Sequence, residues 1–580
     1  MQLPPLFAAW RQTLQAGYSF NALRGDLAAG LTVGIIAIPL AMALAIAIGV
    51  APQYGLYTVL VAAPIIALTG GSRFNVSGPT AAFVVILLPI TQQYGLAGLL
   101  LCSMLAGLIL IALGLARSGR LIEFVPYPVT LGFTAGIGVV IATLQLKDLL
   151  GLTLSGQPLH YVAQIEALVS ALPSAHLGDA LVGAISLAVL LIWPRWVPKV
   201  PGHLAALAVG TLAGLTLEYL GIPLATLGER FSYSLDGVTH AGIPPFLPSF
   251  AWPWQLPAAD GQPLQLSFEL IRQLLAPAFA IAMLGAIESL LCAVVADGMT
   301  GSKHDPNAEL IGQGLGNLIA PLFGGITATA AIARSAANVR AGAFSPLAAI
   351  IHAGVVLVAI LLLAPLFSYL PMAALAALLL MVAWNMSEPA HVLHTLRIAP
   401  RSDVLILLSC LLLTVLFDMV LAVGVGLLLA AGLFIKRMSE LTDTEAVNKD
   451  LHQALKDLPE QVLVYAIRGP LFFAAAEKAL SALRRFSPSV KVIIVDISAV
   501  PLLDLTALAA LDNVLRDYRK QQIGLILLGS SAGVRRKLRR ANIKREDGLL
   551  AYVNNHEQAR AKALRWLQLE PARGDESATH

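Results

Sequence analysis

The chain has 580 residues, 57% hydrophobic and only 12% charged, with a formal net charge of +4 and a mean hydropathy of +0.77. Soluble domains carry about 25% charged residues, so lipid must be the solvent for most of this chain. The small net charge, and the lack of any long stretch interleaving basic with aromatic residues, argue against nucleic acid as a partner.

Residues 1–26 are mixed in character and lack the charged n-region and apolar h-region of a cleavable signal peptide. They are expected to form a cytoplasmic segment, with the first helix directing insertion. From Leu27 to about Ile435 the apolar runs predict fourteen spans within a transmembrane domain, residues 27–437. Their centres lie near residues 39, 62, 86, 106, 138, 187, 212, 285, 315, 334, 356, 380, 410 and 428. A full span needs about 20 apolar residues, and two candidates fall short: those opening at Ser77-Gly78-Pro79-Thr80 and at Ala328-Thr329-Ala330-Ala331. Pro39 lies inside the first helix and should kink it. Cys102, Cys292 and Cys410 sit far apart in apolar runs, without metal-ligand spacing, and no cofactor is expected.

Charge placement tests this topology, because cytoplasmic loops retain Lys and Arg. With the N-terminus inside, the inner loops hold Arg117, Arg120, Arg195, Lys199, Lys303, Arg340, Arg397 and Arg401. The outer loop at 151–178 has no Lys or Arg, and the one at 223–270 has only Arg230. An even number of crossings, with both termini cytoplasmic, satisfies this asymmetry. Asp26, Arg24 and the Lys147/Asp148 pair read as membrane-edge residues, and Asp418 as an outer-face turn residue.

After Lys436 the composition turns charged. Gln461–Ile467, Val490–Val495 and Ile523–Leu528 read as strands, separated by helical patterns at Phe473–Phe486 and Thr506–Lys520. This alternation predicts a small α/β domain over 438–565, followed by a disordered tail at 566–580.

The two short segments carry the chemistry. Gly70-Gly71-Ser72-Arg73-Phe74-Asn75-Val76-Ser77-Gly78-Pro79-Thr80 and Gly324-Gly325-Ile326-Thr327-Ala328-Thr329-Ala330-Ala331 stand in corresponding places in the two halves. Paired broken helices mark a transporter's midplane site. A half-helix beginning inside the membrane presents free N–H groups and about half a positive charge, which suits a small anion. Ser77 and Thr80 add hydroxyls, and Pro79 fits a first-turn position. Arg334, two turns into the second half-helix on this reading, could attract the anion, balance Glu288 or neutralise dipoles inside the bundle. Glu288 lies deep in the apolar helix Phe279–Val295, where a lone carboxylate costs about 2.5–3.5 kcal/mol. A proton removes that cost, making Glu288 a candidate coupling site. No nucleophile–base pair suggests an enzyme.

The segments Ala37–Ala45 (AIPLAMALA), Ala51–Tyr57 (APQYGLY), Val76–Ala82 (VSGPTAA), Asn307–Asn317 (NAELIGQGLGN) and Phe323–Ser335 (FGGITATAAIARS) resemble the SulP anion-permease family. The resemblance spans roughly residues 20–565 and includes a STAS-like C-terminal domain. Residues 283–301 (MLGAIESLLCAVVADGMTG) resemble its bacterial C4-dicarboxylate branch, the DauA type. The resemblance implies fourteen spans as a seven-plus-seven inverted repeat, split into core and gate domains, with spans 3 and 10 as half-helices. It also implies a homodimer, an elevator-like movement and a bacterial inner-membrane location. Family site positions carry onto Ser77, Gly78, Thr80, Ala330, Ala331, Ile332 and Ala333, with first-helix cavity residues at Leu40 and Leu44. The coupling acid carries onto Glu288, followed one turn later by Cys292, a poor sodium ligand, which favours protons. The phosphorylatable serine of STAS-like anti-sigma-factor antagonists carries onto Thr506, a regulatory position where a cytoplasmic protein partner could act. The expected function is proton-coupled uptake of C4-dicarboxylates such as succinate, fumarate or aspartate. The alternatives are a carrier or exchanger of bicarbonate, sulfate or chloride, or a passive anion channel.

Overall fold

Serine, aspartate and proline at the loop ends set where the membrane helices start. In the computed structural model, which describes residues 6–120, 125–154, 156, 158, 160–197, 200–235, 237–417, 419–447, 455, 458–484 and 486–568, a short helix α1 (Ala8–Ala16) precedes α2 (Phe20–Ala47). Ser19 caps α2 by accepting the Ala22 N–H at 3.2 Å. The first half continues with α3 (Pro52–Thr69), β1 (Ser77–Gly78), α4 (Val84–Leu115), α5 (Tyr127–Leu149), α6 (Tyr161–Ala171), α7 (Leu177–Trp196) and α8 (Gly202–Tyr219). A connecting segment holds the single turn α9 (Leu227–Arg230) and the hairpin β2 (Ser232–Leu235) and β3 (Val238–Ala241).

The second half repeats this order. It contains α10 (Phe268–Thr300), α11 (Pro306–Ile319), β4 (Thr329–Ala330), α12 (Ile332–Arg340), α13 (Leu347–Phe367), α14 (Met372–Ser387), α15 (Pro389–Ile398), α16 (Arg401–Leu416) and α17 (Met419–Glu440). Among the described residues, nine helices are long and apolar enough to cross a membrane. The remaining segments of the fourteen arise in two ways. Helix α4 breaks at Gly95 (φ 67°, ψ −168°), and α8, α11, α12 and α16 are shorter or less apolar. Glycine is required at the break, because the backbone of Ala258 and Ala259 occupies the place of a β-carbon there. The break separates the runs expected at 86 and 106 into one half-helix and one span.

Contacts between helices obey the inverted repeat. The partners α3·α13 and α11·α4 exchange under it, as do α2·α13 with α10·α4, and α7·α14 with α16·α5. The helices α2, α3, α4, α10, α11, α12 and α13 pack mainly on one another and form the core domain. The gate domain is built by α5, α7, α8, α14 and α16, joined by α17 through the close approach of Gly426 to Cys410 and Val129. Asp418 lies outside the described residues, as do Lys199 and residues 569–580 of the expected tail.

The chain divides into two compact units, residues 1–427 and 428–580, so the division falls inside α17. The C-terminal sheet has the order β5 (Asp443–Ala446), β6 (Val462–Arg468), β7 (Val492–Asp496), β8 (Gly524–Leu528), β9 (Leu550–Val553). β5 runs antiparallel to β6, and the other neighbours are parallel. Alternation along each strand sends Ile493, Val495, Leu525 and Leu527 to one core with helices α18 (Ala476–Ser481), α19 (Leu505–Gln521) and α20 (Ala532–Arg540). It sends Val464, Val492, Ile494 and Ile526 to a second core under α21 (His556–Gln568). The edge strands β5 and β9 carry no long apolar run, which is why the sequence pattern showed only the central three.

Candidate functional site

The two interrupted segments meet. β1 and β4 pair antiparallel, Ser77 opposite Ala330 and Gly78 opposite Thr329. The pairing is braced by the Ala331 N–H on the Val76 carbonyl (3.1 Å), the Val76 N–H on Ser335 Oγ (2.9 Å) and Asn338 Nδ2 on the Phe74 carbonyl (3.0 Å). Each approach loop is then tied to a neighbouring helix, since buried backbone polar groups need partners.

Glu309 on α11 ties down the first loop. One carboxylate oxygen accepts the N–H groups of Gly71 and Ser72 at 3.0 Å each. The other accepts Asn75 Nδ2 at 2.7 Å and Gln313 Nε2 at 3.1 Å. Gly71 must be glycine, because a β-carbon would run into the Asp305 carbonyl. The second loop is held by Thr58 Oγ1, which accepts the Ile326 N–H (2.7 Å), and by Asn317, which both accepts from and donates to Ala328 (2.7 and 2.8 Å). Thr329 Oγ1 donates to the Gly285 carbonyl on α10 at 3.1 Å.

From this crossing the two half-helices leave in opposite directions. Thr80 is extended (φ −127°, ψ 154°) and starts a 3-10 turn, Ala81–Phe83, that runs into α4. Ala331 is likewise extended, and α12 begins at Ile332. The first bond back to the start of α12 runs from the Ser335 N–H to the Ala331 carbonyl (2.9 Å). The N–H groups of Ile332, Ala333 and Arg334 therefore have no intrahelical acceptor. Ile332 is 42% exposed, Ala333 is exposed and Ala331 half-buried, so this terminus opens onto free space.

Arg334 stands in the first turn of α12, not two turns in as the sequence suggested, because the helix starts only two residues earlier. Its side chain, 3% exposed, turns behind the crossing and donates from Nη2 to the Pro79 carbonyl at 2.8 Å. Nε and Nη1 have no hydrogen-bond partner among the described residues. A β-carbon at Gly78 would stand 2.8 Å from Nη1, so the glycine lets the guanidinium reach the backbone. A cation thus backs the junction of two helix N-termini.

Glu288, on α10, accepts the Thr80 hydroxyl at 3.0 Å. The structure therefore brings Glu288, Thr80, Gly78, Ala330, Ala331, Ile332, Ala333 and Arg334 to one junction. Ser77 belongs to it too, but it is buried and its oxygen accepts Gln313 Nε2 at 3.0 Å. Its hydroxyl faces the protein rather than the exposed terminus. On α2, which packs against α12, Leu40 is half-buried and Leu44 is wholly buried. In the other unit Thr506 is exposed in the first turn of α19, beside Asp504. That carboxylate caps the helix through the Ala507 N–H (2.8 Å) and also holds the Phe473 N–H (2.9 Å).

Two acids escaped the functional reading of the sequence. Glu309 lay in a motif, but only folding shows its four donors. Asp26, read from the sequence only as a membrane-edge residue, is fully buried and accepts the N–H groups of Phe344 and Ser345, the Ser345 hydroxyl and the Tyr18 hydroxyl.

Comparison with known proteins gives this architecture its relatives. The family model described as the sulfate permease family matches residues 23–410, and the STAS domain model matches 454–559. YvdB of Bacillus subtilis, whose sulfate-transporter name is itself provisional, is 40% identical over 93% of this chain and 98% of its own. The bicarbonate transporter BicA of Picosynechococcus is 30% identical over 90% of this chain and 92% of its own. The solved transmembrane domain of a cyanobacterial BicA aligns with a TM-score of 0.60 at 30% identity, over 70% of this chain and 99% of that one. Murine Slc26a9, at 18% identity, aligns with a TM-score of 0.81 over 96% and 94%, a likeness of fold alone. The chain belongs to the sulfate permease family of anion transporters and carries a C-terminal STAS domain.

Proposed function

We propose that the protein carries a small inorganic oxyanion, sulfate or bicarbonate, across the bacterial inner membrane. Its binding site is the junction where the two half-helices begin, and it alternates between the two faces by movement of the core domain against the gate. The observation that carries this reading is the antiparallel meeting of Ser77–Gly78 with Thr329–Ala330, backed by the buried Arg334 cation with N–H groups to spare. Two helix N-termini together supply about one unit of positive potential, and Arg334 adds another. Two buried carboxylates stand near that field: Glu288, which the Thr80 hydroxyl engages, and Glu309, whose oxygens are taken up by four donors of the first loop and α11.

Residues 283–301 pointed to a C4-dicarboxylate. Relatives that match more than nine-tenths of this chain's length at 40%, and nine-tenths at 30%, bear sulfate and bicarbonate names instead, and an inorganic oxyanion is the reading they support. Glu288 is the proposed coupling group, taking up a proton as the anion binds, and two copies of the chain form the working dimer. Competition in proteoliposomes tests the substrate class. Labelled sulfate or bicarbonate uptake should be blocked by its own unlabelled anion and left untouched by excess succinate. Uptake of labelled succinate that sulfate and bicarbonate fail to compete would reverse the assignment.

A further inference from the structure

The loops on the face opposite the N-terminus are nearly free of Lys and Arg: none at 151–178 and only Arg230 at 223–270. Basic residues on the side of a membrane that disfavours them need a reason to be there. Arg230 and Lys147 line the same cavity. It lies in the seam between core and gate, walled by the end of α2 and the first half of α4 on one side and by α5 and α6 on the other. Its volume is about 80 Å³, and one water needs about 10–15 Å³ of such space, so it has room for several waters or one small oxyanion.

The charges within it are not balanced. Asp148 takes Arg230 Nη1 at 2.5 Å, which leaves the Lys147 ammonium with no hydrogen bond or ion pair among the described residues. Gln145 and Gln164 share the lining, and Gln164 Nε2 gives one of its two hydrogens to the Pro158 carbonyl at 3.0 Å, which leaves it a second to donate. The floor includes Leu88, eight residues along the half-helix from Thr80. At 1.5 Å per residue that is about 12 Å from the anion junction.

We propose that this cavity is a second anion site, an outer antechamber in which Lys147 holds an inorganic oxyanion before it passes along the half-helix to the junction at Thr80. Arg230, pinned by Asp148, lends positive field without closing on the ligand, and the second hydrogen of Gln164 Nε2 is its neutral donor. The substrate class rests on the function proposed above; the site itself does not.

The test uses the full-length protein in liposomes and a membrane-impermeant amine-acylating reagent, with modification at Lys147 followed by peptide mass spectrometry. Sulfate is compared with gluconate at equal ionic strength. The expected result is that Lys147 reacts and that sulfate slows the reaction several-fold. In parallel, Lys147→Gln should raise the apparent KM for sulfate supplied from that face about three- to ten-fold with little change in maximal rate, and Lys147→Arg should restore it. A Lys147 that does not react, or that reacts equally fast in both salts, overturns the antechamber. Protection by sulfate in a protein that transports none of the tested anions would uphold the antechamber and remove the proposed function instead.

Discussion

A hydrogen bond from the Thr80 hydroxyl to the Glu288 carboxylate, 3.0 Å long, links the start of the first half-helix to α10 at the junction. On the coupling proposed above, protonating the carboxylate would weaken its claim on the Thr80 hydroxyl and free that hydroxyl for the anion. Glu288→Gln keeps an acceptor for Thr80 but cannot change charge. It should abolish gradient-stimulated uptake while leaving anion exchange within about two-fold, as measured by uptake with and without an inward proton gradient. Arg334 acts differently, through the Pro79 carbonyl and its buried charge. Hydrogen bonds to charged groups contribute roughly 1.5–3 kcal/mol, so Arg334→Ala should weaken anion affinity by at least ~10-fold in a binding titration. Arg334→Lys keeps the charge but loses the planar fork and should recover only part of that loss.

At the scale of elements, the half-helices exist because their approach loops are tied to helices of the bundle. Glu309 carries the heaviest share on the first side, with four donors on two oxygens. Glu309→Gln turns part of that acceptor into a donor facing other donors. It should lower the thermal midpoint of the detergent-solubilised protein and reduce anion binding together, unlike Glu288→Gln, which should leave the midpoint near wild type. The broken segments themselves were legible in the sequence, because Gly-Gly followed by Ser/Thr interrupts an apolar run at matching places in both halves. Their antiparallel contact was not, since register between Ser77 and Ala330, or Gly78 and Thr329, so far apart in the chain, leaves no local trace. The start of α12 was misplaced for a related reason: Ala328–Ala333 are apolar enough to read as helix, and it is pairing with β1 that holds Thr329 and Ala330 extended. The kink at Gly95 separated two expected spans correctly, whereas Ser77, read as an anion donor, turned to Gln313 because alternation along a strand sends its side chain inward.

For the whole molecule, the inverted repeat divides labour between a core that carries the junction and a gate that frames it, and the α/β domain has two hydrophobic cores of its own. Removing residues 441–580 should therefore leave anion affinity within about two-fold while changing expression or maximal rate, as read by binding to the purified truncated protein. Apolar runs and the Lys/Arg asymmetry carried the span count, and strand–helix alternation carried the second domain. Substrate class was harder to read: a short motif pointed to dicarboxylates, whereas relatives matching nine-tenths or more of the chain bear inorganic-anion names. The most direct measurement of the central claim is anion uptake into proteoliposomes holding the purified chain, with labelled sulfate and bicarbonate, with and without an inward proton gradient, and with Arg334→Ala beside the wild type. The account predicts saturable uptake of at least one of the two, stimulated by the gradient and lost in the variant. Uptake that is indifferent to Arg334, or absent for both anions in an ordered reconstituted protein, would contradict it.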